Sequence, residues 1–158
     1  MRLDKLLANM GYGSRKEVKQ LLKQKAVTVD GITVKDSAMH VNPEKQDVSV
    51  LGERVEYVEF IYLMMNKPPG VISATEDRYD QTVIDLLDPD FQHFEPFPVG
   101  RLDKDTEGFL LITNDGNLAH NLLSPKKHVP KWYYAKIDGV VTEEDIKAFA
   151  QGVTLDDG

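Results

Sequence analysis

Cysteine and long hydrophobic runs are both missing from this chain. Without cysteine the protein can form no disulfide, no thiolate nucleophile and no cysteine-ligated zinc site. No stretch approaches the roughly 18 consecutive apolar residues that a membrane-spanning helix needs, and residues 1–5 lack the apolar run of a signal peptide. These absences predict a cytoplasmic protein with no membrane partner.

Net positive charge is also lacking, because 26 acidic residues outnumber 19 basic ones and give the 158-residue chain a net charge of −7. The basic residues nevertheless concentrate at the start. Residues 1–28 carry a net charge of +5, whereas residues 29–59 carry −4 and residues 60–158 carry −8. A basic head on an acidic body indicates an anionic partner for the head.

The head is predicted to begin with two short helices. Four apolar residues follow the spacing of one helical face, namely Leu3, Leu6, Leu7 and Met10. Ser14, with Glu17 three residues later, predicts a capping box at the start of a second helix. Basic residues line that second helix at Arg15, Lys16, Lys19 and Lys23. Such like charges repel one another unless an anionic partner neutralises them, although a solvated helix face is the commoner explanation for a charge run.

After the helices the sequence predicts a small antiparallel sheet. Residues 27–34 alternate between apolar and polar about Asp30-Gly31, which is a strong signal for a two-residue hairpin. Two further short strands are expected at residues 47–50 and 54–57. Residues 1–59 therefore form a predicted first domain of two helices and a sheet.

Three segments of the head carry a family resemblance. They are Arg2-Leu3-Asp4-Lys5-Leu6-Leu7, then Ser14-Arg15-Lys16, and then Val27-Thr28-Val29-Asp30-Gly31. Their order resembles the RNA-binding domain named after ribosomal protein S-four. The resemblance implies that the basic helix pair docks on the phosphates of structured RNA. The residues that it assigns to RNA binding are Arg2, Lys5, Arg15, Lys16, Lys19 and Lys23.

Residues 60–158 predict a second domain, which makes the fold class α+β with a mixed, mostly antiparallel sheet. Residues 60–65 form a short apolar run typical of a buried strand, and residues 109–113 predict a central strand. The intervening sequence is expected to form a helix at residues 82–87 and a loop at residues 88–100. Residues 132–137 have a strand pattern, and residues 142–151 have the pattern of a capped helix.

Charged side chains stand directly before the predicted central strand, between Arg101 and Glu107. Groups that are mounted on a rigid, buried element are well placed for catalysis. If residues 101–103 are extended, Arg101 and Asp103 point to one face and can pair, and the pairing keeps the carboxylate ionised.

Two other kinds of site fit part of this segment. Asp103, Asp105 and Glu107 mimic the first positions of a calcium loop, but the residue at position 12 is Asn114 instead of a bidentate glutamate. Asp103 and Asp105 also fit the carboxylate pair of a retaining glycosidase, although such pairs usually come from different elements. No other residue pattern indicates a sugar cleft.

Three motifs in the body explain the segment better. They are Asn66-Lys67-Pro68 with Gly70, then Gly100-Arg101-Leu102-Asp103 with Thr106-Glu107-Gly108, and then Lys131-Trp132-Tyr133. In this order they resemble the motifs of the pseudouridine synthases that carry an S-four-type domain and modify ribosomal RNA. Residues 73–83 and 123–125 look more similar to the small-subunit ribosomal RNA enzymes than to their large-subunit relatives.

The resemblance implies roles for five residues. Asp103 is the catalytic carboxylate, a nucleophile that acts while the uracil is detached from its ribose, rotated and rejoined through carbon. Arg101 displaces or orients the flipped nucleotide, and Tyr133 stacks on the uracil and assists proton removal. Lys67 and Pro68 shape the floor of the substrate pocket. The reaction needs no cofactor and no metal.

The family's catalytic domain continues with a later strand and helix that supply a basic partner for the catalytic aspartate. Residues 155–158 look like part of a hairpin turn, so we expect that the chain is a fragment of a longer protein or that another polypeptide completes the sheet. The expected partner is ribosomal RNA or a ribosomal assembly intermediate. A non-catalytic RNA-binding or ribosome-associated module, in which the head alone acts, is the alternative function.

Overall fold

The computed structural model describes residues 1–154. The chain divides into two compact units, one of residues 1–128 and a second that begins at Val129. The hairpin turn expected at residues 155–158 lies outside the described residues. Within the part of the chain that is described, no helix has the length and apolar character needed to cross a membrane.

The head begins with the two predicted helices, α1 (Leu3–Asn9) and α2 (Arg15–Lys23). The capping box is confirmed, because the Glu17 N–H donates to Ser14 Oγ at 3.4 Å and the Ser14 N–H donates to Glu17 Oε2 at 2.7 Å. The predicted apolar stripe of α1 faces the core, where its leucines are completely buried. Local sequence signals thus mark where both helices begin, and burial of their apolar faces in the core stabilises them.

A four-stranded antiparallel sheet follows, in the order β2-β1-β3-β4. Its strands are β1 (Val27–Val29), β2 (Ile32–Thr33), β3 (Val48–Val50) and β4 (Glu53–Arg54). The predicted hairpin is confirmed, with Asp30 and Gly31 both at positive φ, 51° and 78°. The strand expected at residues 54–57 is wrong beyond Arg54. The Val55 N–H donates to the carbonyl of Val48, which is the first residue of β3. Residues after Val55 therefore have no residue of β3 to pair with.

The helices and the sheet share one hydrophobic core. The buried residues of α1 and α2 pack on valines from β1 and β3, and the segments after β2 and after β4 each add one further valine. The members of this core are Leu3, Leu6, Leu7, Val18, Leu22, Val27, Val29, Val41, Val48, Val50 and Val55. Burial of this apolar surface is the main stabilising term for the head.

The body contains a second sheet of three antiparallel strands, β5 (Tyr62–Lys67), β6 (Phe97–Pro98) and β7 (Gly108–Thr113). The order β5-β7-β6 confirms β7 as the central strand. The prediction that the first of these strands is buried is wrong, because Met64 is 83% exposed. The strand β5 lies at a sheet edge, and only its alternate residues face the cluster of Val71, Val83, Leu110 and Ile112.

Two predictions for the segment between β5 and β7 are also wrong. Residues 82–87 form a single turn instead of a helix, in which the Thr82 N–H donates to Asp85 Oδ2 at 2.8 Å. Thr82 and Asp85 bond to each other as at the start of a helix, but the proline at residue 89 disfavours helical conformation in the residue before it and ends the turn. Residues 88–100 are more regular than expected, because they contain a 3-10 helix (Pro89–Phe94) and strand β6.

The body also contains helix α3 (Gly116–Leu123), which the sequence pattern did not predict. Its N-cap is Asp115, whose Oδ1 accepts from the Leu118 N–H at 3.0 Å. A short 3-10 helix (Pro125–Lys127) follows it. An N-cap aspartate was the available signal for α3, but glycine at the first helical position made the segment resemble a turn.

The connection between the two sheets is hydrogen-bonded at both ends. On the side of the head, the Val58 N–H donates to Met10 Sδ at 3.4 Å. On the side of the body, the Asn114 side chain accepts from the Ile61 N–H at 2.9 Å and donates to the Glu59 carbonyl at 3.0 Å. The connection therefore has specific partners in both halves of the first unit.

The second unit contains helix α4 (Glu143–Gln151), which confirms the predicted helix, with Thr142 as N-cap and Gly152 as C-cap. The strand expected at residues 132–137 is wrong, since the structure has no regular element there. No strand within residues 1–154 forms backbone hydrogen bonds with this segment, and Trp132 is 94% exposed. A strand pattern forms a strand only where a neighbouring strand completes its hydrogen bonds.

Candidate functional site

The carboxylate of Asp103 lies in the loop that joins β6 to β7, on the exposed surface of the body. The loop turns immediately after it, at Lys104 and Asp105, and the Thr106 N–H donates to the Asp103 carbonyl at 3.0 Å. The backbone of Asp103 is therefore part of a hydrogen-bonded turn, while its side chain remains accessible.

A buried lysine holds this turn in place. Lys67, at the end of β5, is completely buried and its Nζ donates to the carbonyl oxygens of Pro68 at 3.0 Å, Lys104 at 3.0 Å and Thr106 at 2.9 Å. An ammonium group has three donors, so all of them are used within the protein. Lys67 thus stabilises the loop of Asp103, and the neighbouring Pro68 is exposed.

The other side of Asp103 is held by Ser73. The Ser73 hydroxyl accepts from the Leu102 N–H at 3.0 Å and donates to the Leu102 carbonyl at 2.9 Å. Because Ser73 is buried, water does not compete strongly for these bonds. The residues before and after Asp103 are therefore both fixed by side chains, one from the segment that follows β5 (Ser73) and one from the end of β5 (Lys67).

A surface ion pair adds a third attachment. Lys104 Nζ lies 2.7 Å from Asp80 Oδ1, and hydrogen bonding to that carboxylate raises the pKa of Lys104 above its ordinary value. The backbone N–H groups of Asp80 and Tyr79 both donate to Asp77 and lower the pKa of the Asp77 carboxyl. The loop around residue 79 is thus tied to the loop of Asp103.

The expected pairing of Arg101 with Asp103 is absent. The ion pairs found within residues 1–154 join other residues, and both of these side chains are exposed. In water an exposed ion pair gains little free energy, which removes the reason for the two side chains to associate. Arg101 and Asp103 are nonetheless close neighbours in one loop, with free polar groups at the surface.

Tyr133 belongs to the second unit. It lies in a segment without regular secondary structure, and the residue is 71% exposed. The ring is therefore accessible, and the role of Tyr133 remains a prediction.

The predicted RNA-binding residues of the head are all exposed, but they differ in their partners. Arg2 donates to both carboxylate oxygens of Asp4, at 3.0 and 2.7 Å. These hydrogen bonds are the main reason that the pKa of the buried Asp4 carboxyl lies below its ordinary value. The side chains without an ion-pair partner in the described chain are Lys5, Arg15, Lys16, Lys19 and Lys23.

The acidic residues after Arg101 do not converge. Among residues 1–154, no group of three or more His, Asp or Glu side chains has a geometry that could hold a metal ion. Two backbone carbonyls of this loop accept from Lys67, and Lys104 pairs with Asp80.

Sequence reasoning missed Ser73, Lys104 and Asp80 as parts of this site. The signal for Lys67 was its motif, whereas the Ser73 contact joins residues 29 positions apart and the Lys104 contact residues 24 positions apart. No local pattern indicates contacts of this range. They appear only when the segment after β5 folds beside the loop of Asp103.

Comparison with known proteins agrees with this arrangement. The family model for RNA pseudouridylate synthase matches residues 61–155, and the model for the S4 domain matches residues 1–47. The chain is 63% identical over 158 residues to the uncharacterized RNA pseudouridine synthase YtzG of Bacillus subtilis (strain 168), covering 100% of this chain and 66% of that protein. It is 38% identical over 160 residues to the ribosomal large subunit pseudouridine synthase B of the same organism, covering 99% and 64%.

A crystal structure described as that of a pseudouridylate synthase is 31% identical, with a TM-score of 0.40, and the match covers 81% of this chain and 54% of that one. The chain spans slightly less than two thirds of the length of the curated relatives named above. The family model covers more than half of the chain, and the loop of Asp103 lies within it. The chain therefore belongs to the RNA pseudouridylate synthase family and carries an S4 domain at its start.

Proposed function

We propose that the intact protein isomerises a uridine of ribosomal RNA to pseudouridine, with Asp103 as the catalytic carboxylate. The observation that carries the proposal is an exposed carboxylate on a loop fixed on both sides, by Ser73 at Leu102 and by Lys67 at Lys104. A nucleophile that is held in place before the substrate arrives saves the entropic cost of positioning it during the reaction.

The reaction conserves the atoms of the nucleotide. The bond between C1′ of the ribose and N1 of the uracil breaks, the ring rotates, and a bond between C1′ and C5 forms, while C5 loses a proton and N1 gains one. Asp103 acts as the nucleophile, because a carboxylate can form and release a covalent bond during such a sequence. The isomerisation needs no external oxidant or reductant.

Two further residues are proposed to serve the flipped nucleotide. Extraction of a uridine from folded RNA costs a few kcal/mol. Arg101, in the same loop as Asp103, displaces or orients that nucleotide, and the Tyr133 ring stacks on the uracil and assists removal of the proton from C5. Stacking on an aromatic ring recovers roughly 1–3 kcal/mol per base.

The head is proposed to supply RNA affinity. Lys16, Lys19 and Lys23 are exposed on α2, where no carboxylate within the described residues neutralises them. Lysines of this kind bind phosphates through counterion release, which gives affinity without sequence preference. Arg2 adds to this surface only through donors that its bonds to Asp4 leave free.

We further propose that residues 1–59 and 60–158 are separate domains. The separate sheets and separate buried clusters support this division. The test is expression of residues 1–59 alone, with a cooperative thermal transition expected. A chain of 1–59 that stays unfolded would contradict the division.

Mapping of pseudouridines tests both the activity and which ribosomal subunit contains the modified uridine. The motif resemblance favours small-subunit RNA, whereas one relative is named for the large subunit. Pseudouridines are mapped in both ribosomal RNAs from cells that lack the protein and from cells that regain it. We propose that one pseudouridine of small-subunit RNA is missing from the cells that lack the protein and is present again in the cells that regain it.

The catalytic assignment is tested with Asp103→Asn in the intact protein. This change keeps the size of the side chain and removes its charge, so pseudouridine formation should fall by about 10⁴-fold or more. The matched control is Asp105→Asn, two residues away, which should have a far milder effect. Pseudouridine is detected through a chemical adduct that blocks reverse transcription, and normal modification by Asp103→Asn would end the assignment.

A further inference from the structure

Tyr79 is a large aromatic side chain that projects from the body into solvent. It is 86% exposed, and the guanidinium carbon of Arg78 lies 5.5 Å from the centre of its ring. That distance is typical of a cation–π contact, which places a planar cation against an aromatic ring. The two side chains together form a small platform that has no role in the site described above.

The backbone below this platform is held by hydrogen bonds. The carboxylate of Asp77 accepts from the N–H groups of Tyr79 at 2.8 Å and Asp80 at 2.9 Å. At the end of the segment, the Ile72 N–H donates to the Gln81 carbonyl at 3.0 Å. The loop that carries Arg78 and Tyr79 is therefore held in one conformation by hydrogen bonds within it and across its ends.

The same loop is attached to the catalytic loop. Asp80, the neighbour of Tyr79, forms the 2.7 Å ion pair with Lys104, and Lys104 directly follows Asp103. At the start of the loop, Ser73 binds the backbone of Leu102, which directly precedes Asp103. The platform is thus fixed to the residues on both sides of the proposed nucleophile.

The charge of the loop limits what the platform can bind. Residues 74–81 contain three acidic side chains and Arg78 as the single basic one. Such a segment repels phosphate groups, which are the usual partners of basic surfaces. Aromatic rings and guanidinium planes instead bind the faces of unstacked bases in RNA.

We propose that Arg78 and Tyr79 form a stacking platform for an unpaired base next to the uridine that is modified, and that the platform contributes to the choice of substrate. This proposal rests on the proposed function, since it needs a flipped uridine at Asp103. Extraction of that uridine leaves its neighbours without a stacking partner, and an accessible ring beside the site supplies one.

The first experiment measures kcat/KM for pseudouridine formation by the intact protein, on ribosomal RNA from cells that lack it. Tyr79→Ala should lower kcat/KM by roughly 5- to 100-fold, which corresponds to one stacked base. Tyr79→Phe keeps the ring and should stay within about twofold of the unmodified protein. Leu51→Ala is the matched control, since Leu51 is an exposed apolar residue in the turn between β3 and β4 of the head.

The salt dependence distinguishes base stacking from phosphate binding. Loss of a phosphate contact changes the slope of affinity against salt concentration, whereas loss of a stacked base leaves the slope unchanged. The ratio of kcat/KM for the unmodified protein to kcat/KM for Tyr79→Ala should therefore stay constant from roughly 50 to 200 mM salt. A ratio that falls with salt, or equal rates for Tyr79→Ala and the unmodified protein, overturns the proposal.

Ultraviolet cross-linking separates this proposal from the proposed function. The Asp103→Asn protein is irradiated with the same RNA, and the peptide that trypsin releases after Arg78 is examined for a nucleotide adduct on Tyr79. An adduct supports base binding by Tyr79 even if the unmodified protein makes no pseudouridine; the contact with RNA then stands, whereas the proposed function and the choice of a modified uridine fail. Adducts confined to other peptides, or no adduct at all, overturn the platform.

Discussion

The ammonium nitrogen of Lys67 lies 3.0 Å from the carbonyl oxygen of Lys104, a residue 37 positions further along the chain. Lys67 is completely buried, and none of the ion pairs in residues 1–154 involves it. Its charge is instead stabilised by three carbonyl dipoles, two of which belong to the turn after Asp103. A buried cation of this kind is stable only while that turn keeps its shape, so the lysine and the loop depend on each other.

Replacement of Lys67 by methionine should destabilise the first unit. Methionine has a similar length but no donor, so three partly buried carbonyl oxygens lose their partner. The free energy of unfolding should fall by at least about 1–3 kcal/mol, the cost of one unpaired buried group. Urea denaturation measures the free energy of unfolding. The control is Lys35→Met, which makes the same change at an exposed position. Equal losses in both variants would show that the three hydrogen bonds do not stabilise the loop.

Ser73→Ala should reduce catalysis more than RNA affinity. The change frees the N–H and the carbonyl of Leu102, so the backbone before Asp103 gains freedom. Misplacement of a reacting group by about 1 Å costs up to roughly 100-fold in rate. Single-turnover rates and RNA affinity should be measured together. Ser73→Thr keeps the hydroxyl and should restore the rate, whereas a loss of affinity equal to the loss of rate would argue against a positioning role.

Charge reversal on α2 should change the salt dependence of RNA binding. Lys16, Lys19 and Lys23 are exposed together on this helix, and each phosphate contact contributes about 0.9 to the slope of log affinity against log salt on a duplex. Changing all three to glutamate should lower that slope by roughly 2 to 3 and weaken binding. The control is the double variant Lys35→Glu and Lys45→Glu. If the slope stays the same, the lysines form only a solvated helix face.

The ion pair at the start of α1 should make folding sensitive to acid. Arg2 lowers the pKa of the Asp4 carboxyl in the folded state, so the pair stabilises the fold above the unfolded-state value of about 3.9. That stabilisation is lost as the pH falls through the lower, folded-state pKa. Arg2→Gln should therefore be less stable than the unmodified protein at pH 6, and the difference should shrink toward pH 2. Urea unfolding across this range measures it, and a difference independent of pH would contradict the linkage.

Local signals explain why the head could be predicted from the sequence. The capping box of Ser14 and Glu17 and the turn at Asp30-Gly31 involve neighbours in the chain, so residue order alone specifies them. The strand expected at residues 132–137 failed for the opposite reason. Its residues suit a strand, but a strand depends on a partner that no local pattern supplies.

The candidate site divides in the same way. Asp103 was accessible to sequence reasoning because its motif is continuous in the chain. The groups that hold its loop come from Lys67 and Ser73, and their contacts span 29 to 39 residues. The expected ion pair between Arg101 and Asp103 rested on their spacing alone. Spacing does not show whether two exposed side chains bind each other or are separately solvated.

The side chain of Asn114 takes the place of a neighbouring strand, because its amide accepts from one backbone N–H and donates to one backbone carbonyl of residues 59–61. That mimicry anchors the backbone at the start of the body to the residue that directly follows β7. The thioether of Met10, a weak acceptor, is the partner of the Val58 N–H. The path of the chain between the two sheets is thus fixed by one side chain on each side, Met10 in the head and Asn114 in the body.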